Sequence, residues 1–200
     1  MIILPQKTAL SLMADLLDEN RIESGNTRLQ QLIAGGEAEL VGQLVAKAES
    51  GENSKSESVE EFRYATEFDP PYLPDSSIRD PAVLKQWPLI GITPTGFETR
   101  NIGATIEITA SSRGSGQWLR VDTVAQHVRF LRWAKTDAGK LVNGEHLYVD
   151  QPIFHTLKNT SNMILKNGQR ILLGSHKVPD RPDQMELFLL RVEAKLAESK

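Results

Sequence analysis

Residues 151–194 read QPIFHTLKNTSNMILKNGQRILLGSHKVPDRPDQMELFLLRVEA, and the fold follows from how they are read. Apolar residues alternate from Ile153 to Leu157 and lead into a run that reaches Leu165. Residues 169–173 return, and residues 185–192 form a closing apolar run. Each run has the length and content of a strand. Between the first two stands Lys166-Asn167-Gly168. Asn-Gly flanked by apolar runs is the strongest short-range hairpin signal, because a type I′ turn needs φ > 0 at both central residues. The spacing therefore predicts a hairpin that pairs 153–165 with 169–173, a closing strand at 185–192, and earlier strands added to that framework.

A chain of 200 residues can bury a sizeable core, with one domain as the default. Its hydrophobic and charged fractions, 40% and 24%, are ordinary for a globular protein. A net charge of −3 argues against general nucleic-acid binding, which draws on a basic face or stripe. With no cysteine, disulfides, thiolate zinc sites, iron–sulfur clusters and cysteine nucleophiles are excluded. No stretch approaches the ~20 apolar residues of a membrane helix. Met1-Ile2-Ile3-Leu4-Pro5 lacks the basic start and long apolar middle of a secretory signal.

Residues 6–20 predict an amphipathic helix with Leu10, Met13, Leu16 and Leu17 on one stripe. Residues 27–34 predict a second, capped by Asn26 or Thr27, with Leu29, Leu32 and Ile33 as its apolar face and Gly35-Gly36 as its stop. Residues 39–49 and 56–68 read as a β-hairpin around a polar turn at 50–54. Glu57, Glu60, Glu61, Glu67 and Asp69 then make a solvated strand face that discourages edge pairing, or alternatively a patch for a cation or basic partner. Prolines at 70, 71, 74, 81, 88 and 94 leave no room for a long helix or central strand. A helical turn at 81–86 capped by Asp80 fits there, with Trp87, Leu89 and Ile90 as anchors. Residues 97–111 alternate Ile102, Ala104, Ile106 and Ile108 against Asn101, Thr105, Glu107 and Thr109, predicting one buried and one wet face. Residues 113–116 turn the chain, 118–133 run back with a bulge near 122–125, and 136–146 read as a polar loop.

The histidines His127, His146, His155 and His176 show no helical i, i+4 ligand spacing, and no phosphate-binding or dinucleotide-binding glycine motif is present. Ser175 lacks a defined base. Glu60, Glu61 and Glu67 are neighbouring carboxylates by sequence, but a strand puts alternate residues on opposite faces, so the pattern does not establish a glycosidase-type pair. Trp118, Phe130, Trp133 and Phe154 suit either a carbohydrate or peptide surface or ordinary core and cross-strand packing. The pattern assigns no catalytic, cofactor-binding or metal residues and no cofactor. A hydrolase or metal enzyme would need His155, His176 and nearby carboxylates to converge.

Residues 163–174, MILKNGQRILLG, resemble the signature of the secretins, the outer-membrane channels of type II and III secretion and type IV pilus systems. In that family a strand, a turn with Gly-Gln and a second apolar strand ending in Gly follow one another. Residues 96–110, GFETRNIGATIEITA, look like the family's vG-x-x-L-x-V-x-P strand, and residues 39–69 look like its opening hairpin. The likeness spans roughly residues 39–194. Three departures stand out. Gly174-Ser175-His176 replaces the family's Gly-Gly-Leu. Val178-Pro179-Asp180 leads directly to 185–192, where the family has a Val-Pro-x-Leu-Gly-x-Ile-Pro segment and a membrane-inserting lip. The family's long periplasmic N-domains have no counterpart. The resemblance implies a double β-sheet barrel assembled from many subunits, with Ile106 and Ile108 on a wall strand, 163–174 in the closing hairpin and Pro152 at its entry.

The expected fold is α+β, mostly antiparallel β-sheet with a secretin-like core and two N-terminal helices. Residues 1–36 would form a helical segment packed on a β-domain of residues 37–196. The expected function is non-enzymatic: protein secretion or transport, or pilus-type envelope assembly, through ring or sheet-edge contacts with protein partners or further copies. No nucleic acid and no integral membrane segment is expected, and the resemblance implies the periplasm or outer membrane. The alternative is a stand-alone soluble protein- or carbohydrate-binding module of the cell envelope.

Overall fold

The computed structural model describes residues 1–18, 20–70, 80, 82, 92–113, 116–140 and 144–195. The elements are β1 (Ile2–Pro5), α1 (Gln6–Leu16), α2 (Ile22–Ala34), β2 (Glu39–Leu40), β3 (Asn53–Asp69), β4 (Thr93–Arg113), β5 (Trp118–Lys140), β6 (His146–Lys166), β7 (Arg170–Val178) and β8 (Arg181–Arg191). They form two four-stranded antiparallel sheets, ordered β2-β1-β8-β7 and β3-β4-β5-β6, so the fold is α+β and mostly β, as the sequence predicts. Two compact units divide the chain. The first comprises Met1–Val59, Gly103–His127 and Thr156–Lys200; the second comprises Glu60–Ile102 and Val128–His155.

In the first unit, the apolar start of the chain is a strand. β1 pairs with β8 on one side, Ile2 opposite Leu187, and with β2 on the other, Ile2 opposite Leu40. Pro5 ends it and leads into α1. The core here joins Ile2 and Leu4 to Ala9, Leu12 and Leu16 of α1, Leu29 and Leu32 of α2, and Leu187 of β8. The buried stripe of α1 is Ala9, Leu12 and Leu16, while Leu10 and Leu17 are 51% and 68% exposed. The expected stripe was therefore off by part of a turn: the helix faces the strand it grows from, and its first residue follows Pro5 directly. α2 starts at Ile22, five residues before the expected start at 27, with no side-chain cap. Instead Arg21 donates to Asp18 at 2.8 Å and to Asp15 at 3.0 Å, closing the turn between the helices. Its stop is the expected glycine pair: Gly36 has φ 73°, the Glu37 amide donates to Leu32 and the Gly36 amide to Ile33, which is the Schellman pattern.

Lys166-Asn167-Gly168 is a tight turn, with the Gln169 amide donating to the Lys166 carbonyl at 3.0 Å. It is not the predicted hairpin. Gly168 has φ 80° but no described non-glycine residue has positive φ, which fits a type II turn and not type I′. β6 lies in one sheet and β7 in the other; β7 pairs with β8, Val178 opposite Arg181. The turn steps between sheets because Asn167 binds elsewhere. Its side chain both donates to and accepts from Ala194, each at 2.9 Å, and the Gly168 amide donates to Val192 at 2.9 Å. The apolar faces of the two strands then meet across a core instead of lying side by side. Leu119, Val121, Leu165 and Leu190 are buried there, with Ile106, Ile108, Met163 and Leu173 against them. Ile106 and Ile108 thus lie on the buried face their alternation predicts.

Two more expectations are corrected. The hairpin of 39–49 with 56–68 does not form: only Glu39–Leu40 is strand, paired with β1, and β3 pairs with β4. The loose alternation of 41–49 offers no single apolar face, while the Gly51 amide donates to Ala110 at 2.8 Å. The polar loop at 136–146 is largely strand, since β5 continues to Lys140 and β6 begins at His146. Polar residues on strand ends read as loop when the partner strand is unknown. The helical turn at 81–86, its anchors Trp87, Leu89 and Ile90, and residues 114 and 115 of the next turn lie outside the described residues; Asp80 does accept a hydrogen bond from the Ala82 amide at 2.8 Å.

Leu12→Ala should lower unfolding free energy by roughly 2–5 kcal/mol, whereas Leu10→Ala should cost under about 1 kcal/mol. Urea unfolding of the two variants checks which stripe is buried.

Candidate functional site

Three places gather side chains that sequence alone left scattered. The first is the aromatic face of the second unit. Phe62 lies 5.1 Å from Phe130, 5.7 Å from Trp133 and 5.5 Å from Phe154, measured between ring centroids. Tyr64 lies 5.6 Å from Phe154. β3 and β6 are the two edges of their sheet. Three strand spacings separate the edges of a four-stranded sheet by about 14 Å, so the Phe62 and Phe154 side chains reach toward one another across the face of β4 and β5. Arg100 covers Phe154 at 4.9 Å, and Tyr64 donates to Glu98 at 3.1 Å. Phe130, Trp133 and Phe154 of the expected aromatic set come together here; Trp118 belongs to the first unit and is half exposed.

The second place is a buried carboxylate. Glu186 on β8 is fully buried, and its Oε1 accepts from His127 Nδ1 at 2.7 Å. Its Oε2 lies 3.4 Å from His176 Nε2. A buried carboxylate needs such partners, since leaving it without one costs several kcal/mol, on the order of 3–5. His155 lies on β6 in the second unit, and in the first unit Glu186 stands between His127 and His176. Glu186 escaped the sequence reading because it sits in the run Met185-Glu186-Leu187-Phe188, where a charge looks like the wet side of a strand. A charged residue inside a closing apolar run was the available signal.

The third place is the β5–β6 tip. Asp137 accepts from the Gly139 amide at 2.9 Å and lies 2.8 Å from His146 Nδ1. The Gly139 amide, and after it His146, hold its carboxyl below the usual aspartate range. The acidic run Glu57, Glu60, Glu61, Glu67 and Asp69 lies exposed on the edge strand β3, where Lys55 binds Glu57 at 2.8 Å. Among the described residues no group of three or more histidines and carboxylates is set to hold a metal ion, and no helix is long and apolar enough to cross a membrane. No family model, no curated protein and no solved structure matches this chain.

His127→Ala and Glu186→Ala should each destabilise by roughly 3–5 kcal/mol, and the double variant by clearly less than their sum. A double-mutant cycle in urea reads that coupling, and simple additivity would show the contact to be energetically idle. Asp137 should titrate below a free aspartate. Because its folded pKa is depressed, its stabilising contribution is present above the unfolded pKa and fades as pH falls through the folded one. Carbon-detected NMR should find that His146→Gln raises the Asp137 pKa only part of the way, since the Gly139 amide remains.

Proposed function

We propose that this chain is a secretin-like, non-enzymatic β-domain that works in envelope transport or pilus-type assembly, in the periplasm or outer membrane, by joining further copies of itself edge to edge. One observation carries the reading: a sheet of four long strands, β3-β4-β5-β6, with β3 and β6 as its edges. In an antiparallel sheet of even strand number the two edges run in opposite directions. A second copy can therefore add β3 to β6 and continue the alternation, and repetition gives a ring where the rotation per copy closes. Unpaired edge groups supply the hydrogen bonds. The step from β6 to β7 through Gly168, ending in Gly174, keeps the order of the secretin-like signature, though the strands it joins face one another and do not pair.

The aromatic cluster and the acidic β3 restrain this assembly. In one chain the rings hold the edges of the second unit close, and the carboxylates repel a second edge. A protein- or carbohydrate-binding module is the second reading. It is favoured by a cleft of about 560 Å³ in the second unit, where Trp133, Tyr148 and Phe68 stand with Lys135 and Asp150.

Solution mass by light scattering, across concentrations and with or without mild detergent, tests the first reading. A ring-sized species is expected, and Phe62→Ala with Phe154→Ala should raise its fraction at equal concentration. A stable monomer for both proteins throughout would overturn the assembly.

A further inference from the structure

Arg170 and Arg191 stand directly opposite one another in the β7–β8 ladder. Like charges in that position repel. Arg191 is relieved by an ion pair with Glu193. Arg170 has no carboxylate at ion-pair distance among the described residues; its Nη1 reaches the side-chain oxygen of Asn26 at 3.4 Å. Burial, and after it Arg191, holds the Arg170 guanidinium below its ordinary pKa. Lys166, at the turn leading into β7, likewise has no ion pair among the described residues. All three cations line one open cavity of about 910 Å³, and Glu23 is the one carboxylate among its described lining residues. Trp118, 51% exposed, forms a flat apolar wall beside them.

We propose that this cavity is an oxyanion-binding site, taking a carboxylate or phosphate group between Arg170 and Lys166 with the ligand's apolar part against Trp118. A guanidinium fork matches either group with two parallel hydrogen bonds, and an ammonium adds charge from a flexible stem. An anion there also relieves the Arg170–Arg191 repulsion that the fold otherwise carries. The site takes in the last residues of β6, Ile164 to Lys166, but one chain supplies all of its lining, so it does not depend on assembly.

Calorimetric titration of the full chain tests it at ionic strength held constant with chloride. One arm uses inorganic phosphate and the other acetyl-Glu-Asp-Glu amide. Saturable binding in either arm is expected, weakened about tenfold by Arg170→Gln and several-fold by Lys166→Gln. A response to phosphate alone identifies a phosphoryl ligand, and a response to the peptide alone an acidic peptide. Lys166 is exposed, so Lys166→Gln keeps the test intact if Arg170→Gln fails to fold. No saturable binding in either arm, or binding that both substitutions leave unchanged, overturns the site.

Discussion

The pairing of β1 with β8 holds the first unit together. Four residues at one end of the chain, Ile2 to Pro5, lie against Gln184 to Leu187 near the other. Ile2, Ile3 and Leu4 are nearly fully buried, at 1%, 3% and 1% exposure. A strand so short has no stability of its own. It exists because β8 offers a ladder and the two helices cover its face. Closing so long a loop costs little more than closing a moderate one, since the entropy grows only logarithmically with length. Pro5 then fixes where α1 starts, and the direction of α1 decides which of its leucines go inside.

The second sheet meets two environments along the same strands. Within the first unit, β4, β5 and β6 place Ile106, Leu119, Val121 and Leu165 against β7 and β8, so the sheet is covered by another sheet. Within the second unit strands of the same sheet carry a cluster of aromatic rings, Phe62 and Phe154 from the edges meeting Phe130 between them. β4 passes from one to the other at Gly103, where φ is 123° and a Cβ would strike the Ser58 carbonyl. A side chain there is barred by both the backbone and its neighbour, which is why the alternation of 102–108 contains a glycine.

Two polar exceptions sit on the β7–β8 pair. Glu186 is buried between two histidines, and Arg170 and Arg191 oppose one another at the open end of the same ladder. The carboxylate is satisfied from within the chain, by His127 on a different sheet, and so ties the two sheets of the first unit through a specific contact as well as through apolar packing. The guanidinium is not so answered, and it faces a cavity. One strand pair thus holds both a closed polar contact and an open one.

Local pattern sufficed wherever the partner was close in sequence. The fold class, the Schellman stop at Gly35-Gly36, the buried parity of Ile106 and Ile108, the tight turn at 166–168 and the strand at 185–192 all follow from periodicity and from glycine's tolerance of positive φ. Partner choice did not. Asn-Gly between apolar runs signals a turn, but whether the runs then pair or stack depends on Val192 and Ala194 binding the turn from outside. β1 was too short to carry a period, residues 39–40 joined it instead of β3, and Leu10 and Leu12 could be ranked only once the direction of α1 was set. The aromatic cluster and the His127–Glu186–His176 contact were likewise invisible, because each joins residues on different strands. A sequence fixes which faces are apolar and where the chain can bend; which face meets which is decided by contacts between distant segments, and these exist only in the folded chain.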